Sequence, residues 1–378
     1  MKVKQFKPFL GEEEFLSIKD CFDTNWITEG PKSKEFCDKL LELVGAKYGV
    51  FANNGTLSLY LGLKALGIKD GDEVLVPNFT FIASANAVIM AGGVPIFVDV
   101  DKDTMHIDLV KCRKLVTPKT KAIMPVHIYG TAADMDSIME FANKYRLKVI
   151  EDAAQAIGVK WNGKHCGTFG DIGSFSFFAD KTITTGEGGF LCTNDEKVYE
   201  KLLYLRNQGR INRGPFIHPE IGFNFRITDI QAAICLAQLK KLDLIIQKKK
   251  NILDLYKHHL GGVPGIKIFE PPSQSDHVPF RVAILFEDRA EDVMKFFETK
   301  GIETRTFFYP LHQQPCFTEI MQTQYCDICV ETFGIKCNMQ CFQNSIALYN
   351  HGVCVPSYPE LTEEEIQYIC ESIKEYIG

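Results

Sequence analysis

The chain has 378 residues, 46% of them apolar, and a formal net charge of −6. That length suits two domains, or one large one with an appendage, and such an apolar share excludes disorder. The charge supplies no broad basic field, which argues against nucleic acid and means that an anionic substrate needs local donors. No apolar run reaches the length of a membrane span, and the opening MKVKQFKPFLGEEE lacks the apolar centre of a signal peptide. A cytoplasmic protein that touches no membrane is therefore expected. The 13 cysteines are odd in number and scattered, which argues against a disulfide framework and for reduced, buried thiols.

Residues 1–32 read as an N-terminal arm, and apolar residues at helical spacing predict helices over 12–22 and 33–44. Between them Asn25-Trp26-Ile27-Thr28-Glu29-Gly30-Pro31 ends in a Gly-Pro turn. Taken alone, this is as readily an ordinary helix connection around a buried Trp26 as part of a site. A strand over 48–52 leads to Asn53-Asn54-Gly55-Thr56 and a helix over 57–66. A Gly-Thr turn opening a helix offers free N–H groups, a hydroxyl and the positive end of the dipole, which suits a phosphate. Asn or Thr there is also a routine N-cap. A strand over 72–77 and the turn Asn78-Phe79-Thr80-Phe81 precede a helix over 83–91. Phe81 is placed to stack on a ligand ring, or to pack in the core as most phenylalanines do. Strands over 94–98 and 122–126 and a helix over 135–144 continue the alternation. This pattern predicts a largely parallel sheet with ligands at the strand carboxyl ends.

The next stretch, KVIEDAAQAIGVKWNGKHCGTFGDIGSFSFFADKTITTGEGGFLCTND, spans 148–195. A short apolar strand ends on Glu151-Asp152. A strand over 174–178 leads to Lys181, and Thr-Thr-Gly-Glu-Gly-Gly precedes a third strand over 190–193. An acid at a strand end and a lysine past the next strand are what a pyridoxal phosphate enzyme needs. The lysine amine forms the Schiff base, and the carboxylate keeps the pyridine nitrogen protonated so that the ring can accept electrons. Against this stands a solvated lysine and a capping aspartate. Lys181 follows Phe175-Ser176-Phe177-Phe178, however, and two Gly pairs suggest backbone passing close to something.

A helix over 198–206 is followed by a loop, 207–214, with three arginines between 206 and 213. Arg213 and its neighbours would suit a diphosphate, or simply face solvent. Gly222-Phe223-Asn224-Phe225-Arg226 leads to a helix over 229–239 and a long helical stretch to 260. We expect a large domain over 1–245 and a smaller α+β domain over 246–378. The latter holds strands within 278–285, a helix over 290–300, Phe307-Phe308-Tyr309-Pro310-Leu311-His312, and a last helix from Thr362 whose Thr-x-x-Glu start is a capping box. Cys326, Cys329, Cys337 and Cys341 are a weak candidate for a structural zinc site, because their inner spacing is shorter than a zinc ribbon's.

EDAAQAIG, GSFSFFADK and TTGEGG resemble the sugar aminotransferases of the DegT/DnrJ/EryC1/StrS family, fold-type-I pyridoxal phosphate enzymes, over nearly the whole chain. The resemblance implies an α/β fold with a mostly parallel central sheet flanked by helices, and a homodimer with shared active sites. It assigns the cofactor Schiff base to Lys181 and the ring nitrogen to Asp152. Phe81 stacks on the ring and Gln155 bonds its oxygen. Gly55, Thr56 and Ser176 take the phosphate, with Asn224 reaching the neighbouring subunit's. Trp26, Thr28, Arg213, Tyr309 and His312 are its candidates for substrate. KAIMPVHIYG, HPEIGFNFRITDIQAA and FFYPLHQQP are similar to the subgroup that acts on GDP-4-keto-6-deoxymannose with L-glutamate as donor. UDP- or dTDP-linked 4-keto-6-deoxyglucose stays open as substrate. Relatives that dehydrate sugars carry histidine in place of the lysine, so Lys181 argues against that chemistry, and a non-catalytic binding protein would need none of these residues.

Overall fold

The computed structural model describes residues 1–210, 216–321 and 339–378. Helices α1 (Glu12–Asp23) and α2 (Pro31–Val44) precede β1 (Tyr48–Ala52), α3 (Gly55–Ala65), β2 (Glu73–Pro77), α4 (Ala83–Met90) and β3 (Val94–Val98). Then come α5 (Leu109–Leu115), β4 (Thr120–Ile123), α6 (Met135–Tyr145), β5 (Lys148–Asp152), the short β6 (Lys160–Trp161) and β7 (Lys164–His165), β8 (Ile172–Ser176) and β9 (Gly189–Thr193). Helix α5 has no counterpart in the sequence reading; Asp108 caps it, accepting from the N–H groups of Val110 and Lys111. Strand β8 stops at Ser176, short of the expected Phe178. There the Phe177 N–H turns to the Gly188 carbonyl, and Phe178 rolls out to the surface.

The main sheet runs β1-β9-β8-β5-β4-β2-β3. All pairs from β8 to β3 are parallel, and β9 is antiparallel to both β8 and β1. Strand β1 therefore points the same way as β8, and only β9 opposes. Strands β2 and β9 are buried along their whole length, as expected of a sheet covered on both faces. Helix α3 lies close because Gly62 lacks a side chain; a Cβ there would sit 2.8 Å from Ile150 Cδ1. The carboxyl ends of β1, β2, β5 and β8 thus share one edge of the sheet, where an open α/β sheet binds ligands.

Helices α7 (Glu196–Arg206), α8 (Asp229–Lys240) and α9 (Leu242–Leu260) lead into a second unit. It comprises β10 (Ile266–Ile268), β11 (Ser275–Asp276), β12 (Val282–Phe286), α10 (Ala290–Thr299), β13 (Arg305–Thr306), α11 (Gln343–His351), β14 (Gly352–Val355) and α12 (Glu363–Ile377). An antiparallel sheet β10-β12-β14-β13 carries a separate apolar core, while β11 pairs back with β6. Helix α9 serves both cores, with Leu242 and Ile245 in the first and Ile252, Leu253 and Tyr256 in the second. The N-terminal arm joins the second core, because Val3 pairs with Ile302 beside β13.

Candidate active site

Strand alternation separates the two acids that end β5. Glu151 is fully buried and points away from the sheet edge, accepting from the N–H groups of Gly167, Phe169 and Gly170 at 2.6–2.7 Å. His127 Nε2 lies 3.0 Å from the same carboxylate. Burial works to raise the Glu151 pKa, but these partners outweigh it and the carboxyl is held below its ordinary value. Glu151 is a structural anchor.

Asp152 takes the other face. Ser84 Oγ, in the first turn of α4, donates to Asp152 Oδ2 at 2.7 Å, and the Ala154 N–H donates to Oδ1 at 3.2 Å. Burial nonetheless raises its pKa, with the Ser84 and Ala154 hydrogen bonds and the charge of Lys181 working the other way. A buried carboxylate in this state is stabilised by a nearby cation, and a protonated pyridine nitrogen is one. The sequence reading missed Ser84; its place one turn after Asn78-Phe79-Thr80-Phe81 was the available signal.

Lys181 follows β8 in a turn, its own N–H bonded to the Phe178 carbonyl. Its Nζ lies 4.7 Å from the centre of the Phe280 ring and 3.8 Å from Asp180 Oδ1. Burial lowers its pKa, while the charges of Asp180 and Asp152 raise it. The amine is thereby moved toward the neutral, nucleophilic form.

Asn54 caps α3, its side chain accepting from the Leu57 N–H at 3.0 Å. The N–H groups of Gly55 and Thr56, in the first turn, have no helical carbonyl to reach. Gly55 faces Ser176 so closely that a Cβ on it would come within 2.8 Å of Ser176 Cβ and 3.0 Å of Oγ. The hydroxyl and the helix N-terminus thus form one cradle. The Gly pair at 188–189 brings β9 against this turn: a Cβ on Gly189 would meet the Asn54 carbonyl at 2.3 Å. Gln155 Oε1 accepts the Tyr129 N–H at 2.7 Å, which steadies a left-handed Tyr129 (φ 51°) and leaves the Gln155 amide NH₂ as a donor. Phe81 is 58% exposed and meets Phe308 edge-on, so it is not a core phenylalanine.

The fold therefore gathers Asp152, Lys181, Gly55, Thr56 and Ser176, which belong to the three connections that follow β1, β5 and β8, at one edge. A pyridoxal phosphate needs this set: an amine for its carbonyl, an acid for its ring nitrogen, and hydroxyl and N–H donors for its phosphate. The glycine-lined cradle and the raised pKa of Asp152 fit that group.

The other candidates lie further out. Tyr309 packs edge-on against Tyr349. His312 stacks on Phe342, with its Nδ1 against the Asn78 side chain, and burial lowers its pKa to about 4. Its segment sits over the Asn78–Phe81 turn, since the Leu311 N–H donates to the Asn78 carbonyl. Trp26 is half exposed rather than buried and packs on Gly30, and Thr28 accepts the Asp229 N–H through its carbonyl. Asn224 is exposed and accepts from Arg226 Nε at 2.8 Å, in the same chain. Arg213, Cys326, Cys329 and Cys337 lie outside the described residues; Cys341 is a half-buried free thiol against the first core.

The fold and this constellation define a pyridoxal phosphate-dependent aminotransferase. The chain belongs to the DegT/DnrJ/EryC1/StrS aminotransferase family, whose model matches residues 8–374. It is 40% identical over 377 residues to a GDP-perosamine synthase of Escherichia coli O157:H7, covering 99% of this chain and 98% of that one. It is 38% identical to a UDP-N-acetyl-3-dehydro-α-D-glucosamine 3-aminotransferase of Acidithiobacillus ferrooxidans, covering 97% and 94%. Among solved structures, S. venezuelae DesV superposes with a TM-score of 0.88 at 28% identity, covering 97% of this chain and 94% of that one.

Proposed function

We propose that this enzyme moves an amino group from L-glutamate to C4 of GDP-4-keto-6-deoxy-D-mannose, giving GDP-perosamine and 2-oxoglutarate. The observation that carries the sugar is the chain-long 40% identity to a protein of that name. UDP- or dTDP-linked 4-keto-6-deoxyglucose is the second reading, favoured by the 38% identity to an aminotransferase of UDP sugars. The enzyme acts as a homodimer in the cytoplasm. Among the described residues no helix is long and apolar enough to cross a membrane. The division into domains over 1–245 and 246–378 falls within α9, where its side chains pass from one core to the other.

When bound, the cofactor supplies an electron sink for the carbon that carries the amino group. The chain supplies the rest. Lys181, its amine shifted toward the neutral form by burial, would hold the cofactor and, when free of it, would take and return the proton at the reacting carbon. Asp152, oriented by Ser84, keeps the ring nitrogen protonated. Gly55, Thr56 and Ser176 hold the phosphate, with Asn224 of the neighbouring subunit adding a donor. Phe81 would stack on the cofactor ring, and the segment 307–312 would close over the sugar.

Amino transfer from glutamate, assayed across GDP-, UDP- and dTDP-linked 4-keto-6-deoxysugars, tests the reading. We expect the highest kcat/KM with the GDP-linked sugar. Lys181→Ala should abolish turnover and keep the melting temperature. A variant within a factor of ten of wild type would overturn the lysine's role; equal rates with all three nucleotides would overturn the GDP assignment.

A further inference from the structure

Beside Lys181 the chain carries a second carboxylate to which the reaction as set out gives no task. Asp180 has a side chain only 9% exposed. Its Oδ2 lies 2.5 Å from Arg281 Nη2 and 3.7 Å from Arg305 Nη1. Arg281 is itself held, donating through Nη1 to Gln5 Oε1 at 2.7 Å and lying over the Phe280 ring. Gln5 of the N-terminal arm and Arg281, just before β12, together thus fix the direction of this carboxylate. Its other oxygen, Oδ1, is buried and has no hydrogen-bond donor among the described residues. Lys181 Nζ lies 3.8 Å from it. A buried acceptor without a donor is costly to leave so, and a carboxylate already held by one arginine keeps two more lone pairs to offer.

We propose that Asp180 is a positioning residue for Lys181: its free oxygen receives the lysine amine whenever that amine is not bonded to the cofactor, and holds it in place between half-reactions. The inference rests on Lys181 being the cofactor's lysine. Its physical content is a division of labour between two acids. Asp152 faces the cofactor ring, and Asp180 faces the lysine. In each half-reaction the lysine must be released, held, and brought back; a buried ammonium with no acceptor would otherwise be expelled toward solvent. The groups that face it set the balance. Asp180 and Asp152 favour the ammonium, Arg281 and Arg305 oppose it, and burial opposes it most. Lys249 lines the same cavity, its Nζ donating to the Phe280 carbonyl at 3.5 Å, and it too is drawn by the charge of Asp180.

The test reads the lysine rather than turnover. Holoenzyme kept in its amino-loaded form by excess amino donor is labelled with trace acetic anhydride across pH 6–10.5, and the Lys181 peptide is quantified by mass spectrometry. Removing the Asp180 charge disfavours the ammonium, so Asp180→Asn should lower the midpoint of Lys181 labelling by about one pH unit. Asp180→Glu, which keeps the charge, should restore most of that shift. A purely structural Asp180 would change the melting temperature and leave the midpoint alone; a folded Asn variant within about 0.3 of the wild-type midpoint overturns the proposal. Should that variant not fold, a high-resolution crystal structure of the unmodified amino-loaded enzyme decides. Lys181 Nζ within about 3.5 Å of Asp180 Oδ1 supports the proposal, and any longer separation sinks it. Borohydride reduction of the resting holoenzyme distinguishes the two failures: cofactor mass on a lysine other than 181 removes the underlying assignment, not just the role of Asp180.

Discussion

Single residues here are set by which face they take and how deeply they lie. Glu151 and Asp152 are adjacent carboxylates with opposite pKa shifts, one held down by the N–H groups of its loop and His127, the other pushed up by burial. Lys181 and Lys249 are both depressed by burial, yet only Lys181 reaches the sheet edge. Lys249 Nζ donates to the carbonyls of Pro279, Phe280 and Ser357, and burial lowers its pKa to about 7. The sign follows directly. Between that value and the unfolded value of 10.5, the unfolded chain binds more protons than the folded one. Stability must therefore rise with pH across that window. From pH 7 to 9 this one lysine should contribute ~2 kcal/mol of added unfolding free energy. We expect Lys249→Met to flatten that rise in urea titrations at the two pH values. An unchanged slope would mean that the carbonyls keep Lys249 charged throughout.

At the scale of elements, the cradle is made where helices and strands approach too closely for side chains. Gly55 opens α3 against Ser176 at the end of β8, and Gly189 opens β9 against the Asn54 carbonyl. Neither contact relies on an unusual φ; both are matters of space. In Gly55→Ala the new methyl must push Ser176 aside, because its nearest atom is the serine Cβ rather than a movable tip. Overpacking of this kind costs ~1–3 kcal/mol. The same displacement moves the hydroxyl that would bind phosphate. The variant should lose stability by that amount and release cofactor more readily on dialysis, with Lys181 chemistry otherwise intact. Wild-type melting and cofactor retention together would show that the cradle lies elsewhere. The last helix needs no such contact to be recognised. Thr362 and Glu365 form the capping box that their spacing predicts, because both partners are local in sequence.

At the scale of the molecule, two cores meet along α9, and the N-terminal arm crosses to the second one. Exposed apolar side chains, among them Phe15, Trp26, Phe216 and Ile221, lie on α1, the α1–α2 connection and the segment before α8. Asn224 follows that segment and is exposed in the single chain. If it completes the neighbour's phosphate site, Lys181→Ala and Asn224→Ala subunits should complement each other. A mixed dimer would have one site with both lesions and one with neither. After random exchange, activity should reach about a quarter of wild type, provided each parent is strongly impaired. With exchange verified by native mass spectrometry, no recovery would assign Asn224 to its own chain.

The sequence by itself determined most of the elements, though not α5, and the chemistry that they carry. Alternating strands and helices, the acid ending β5, the lysine after β8 and the Gly-Thr start of α3 are all local patterns, and local patterns are written in consecutive residues. Only the tertiary structure decided which acid of the Glu151-Asp152 pair faces the site, since one residue of strand register exchanges their faces. It alone brought Ser84 to Asp152 from 68 residues away, and Arg281 to Asp180 from 101. It also showed that Trp26 and Phe81 stand at the surface rather than in a core. These are contacts between distant segments, and no periodicity records them. They exist because parallel strands place their carboxyl ends, however far apart in the chain, along one edge.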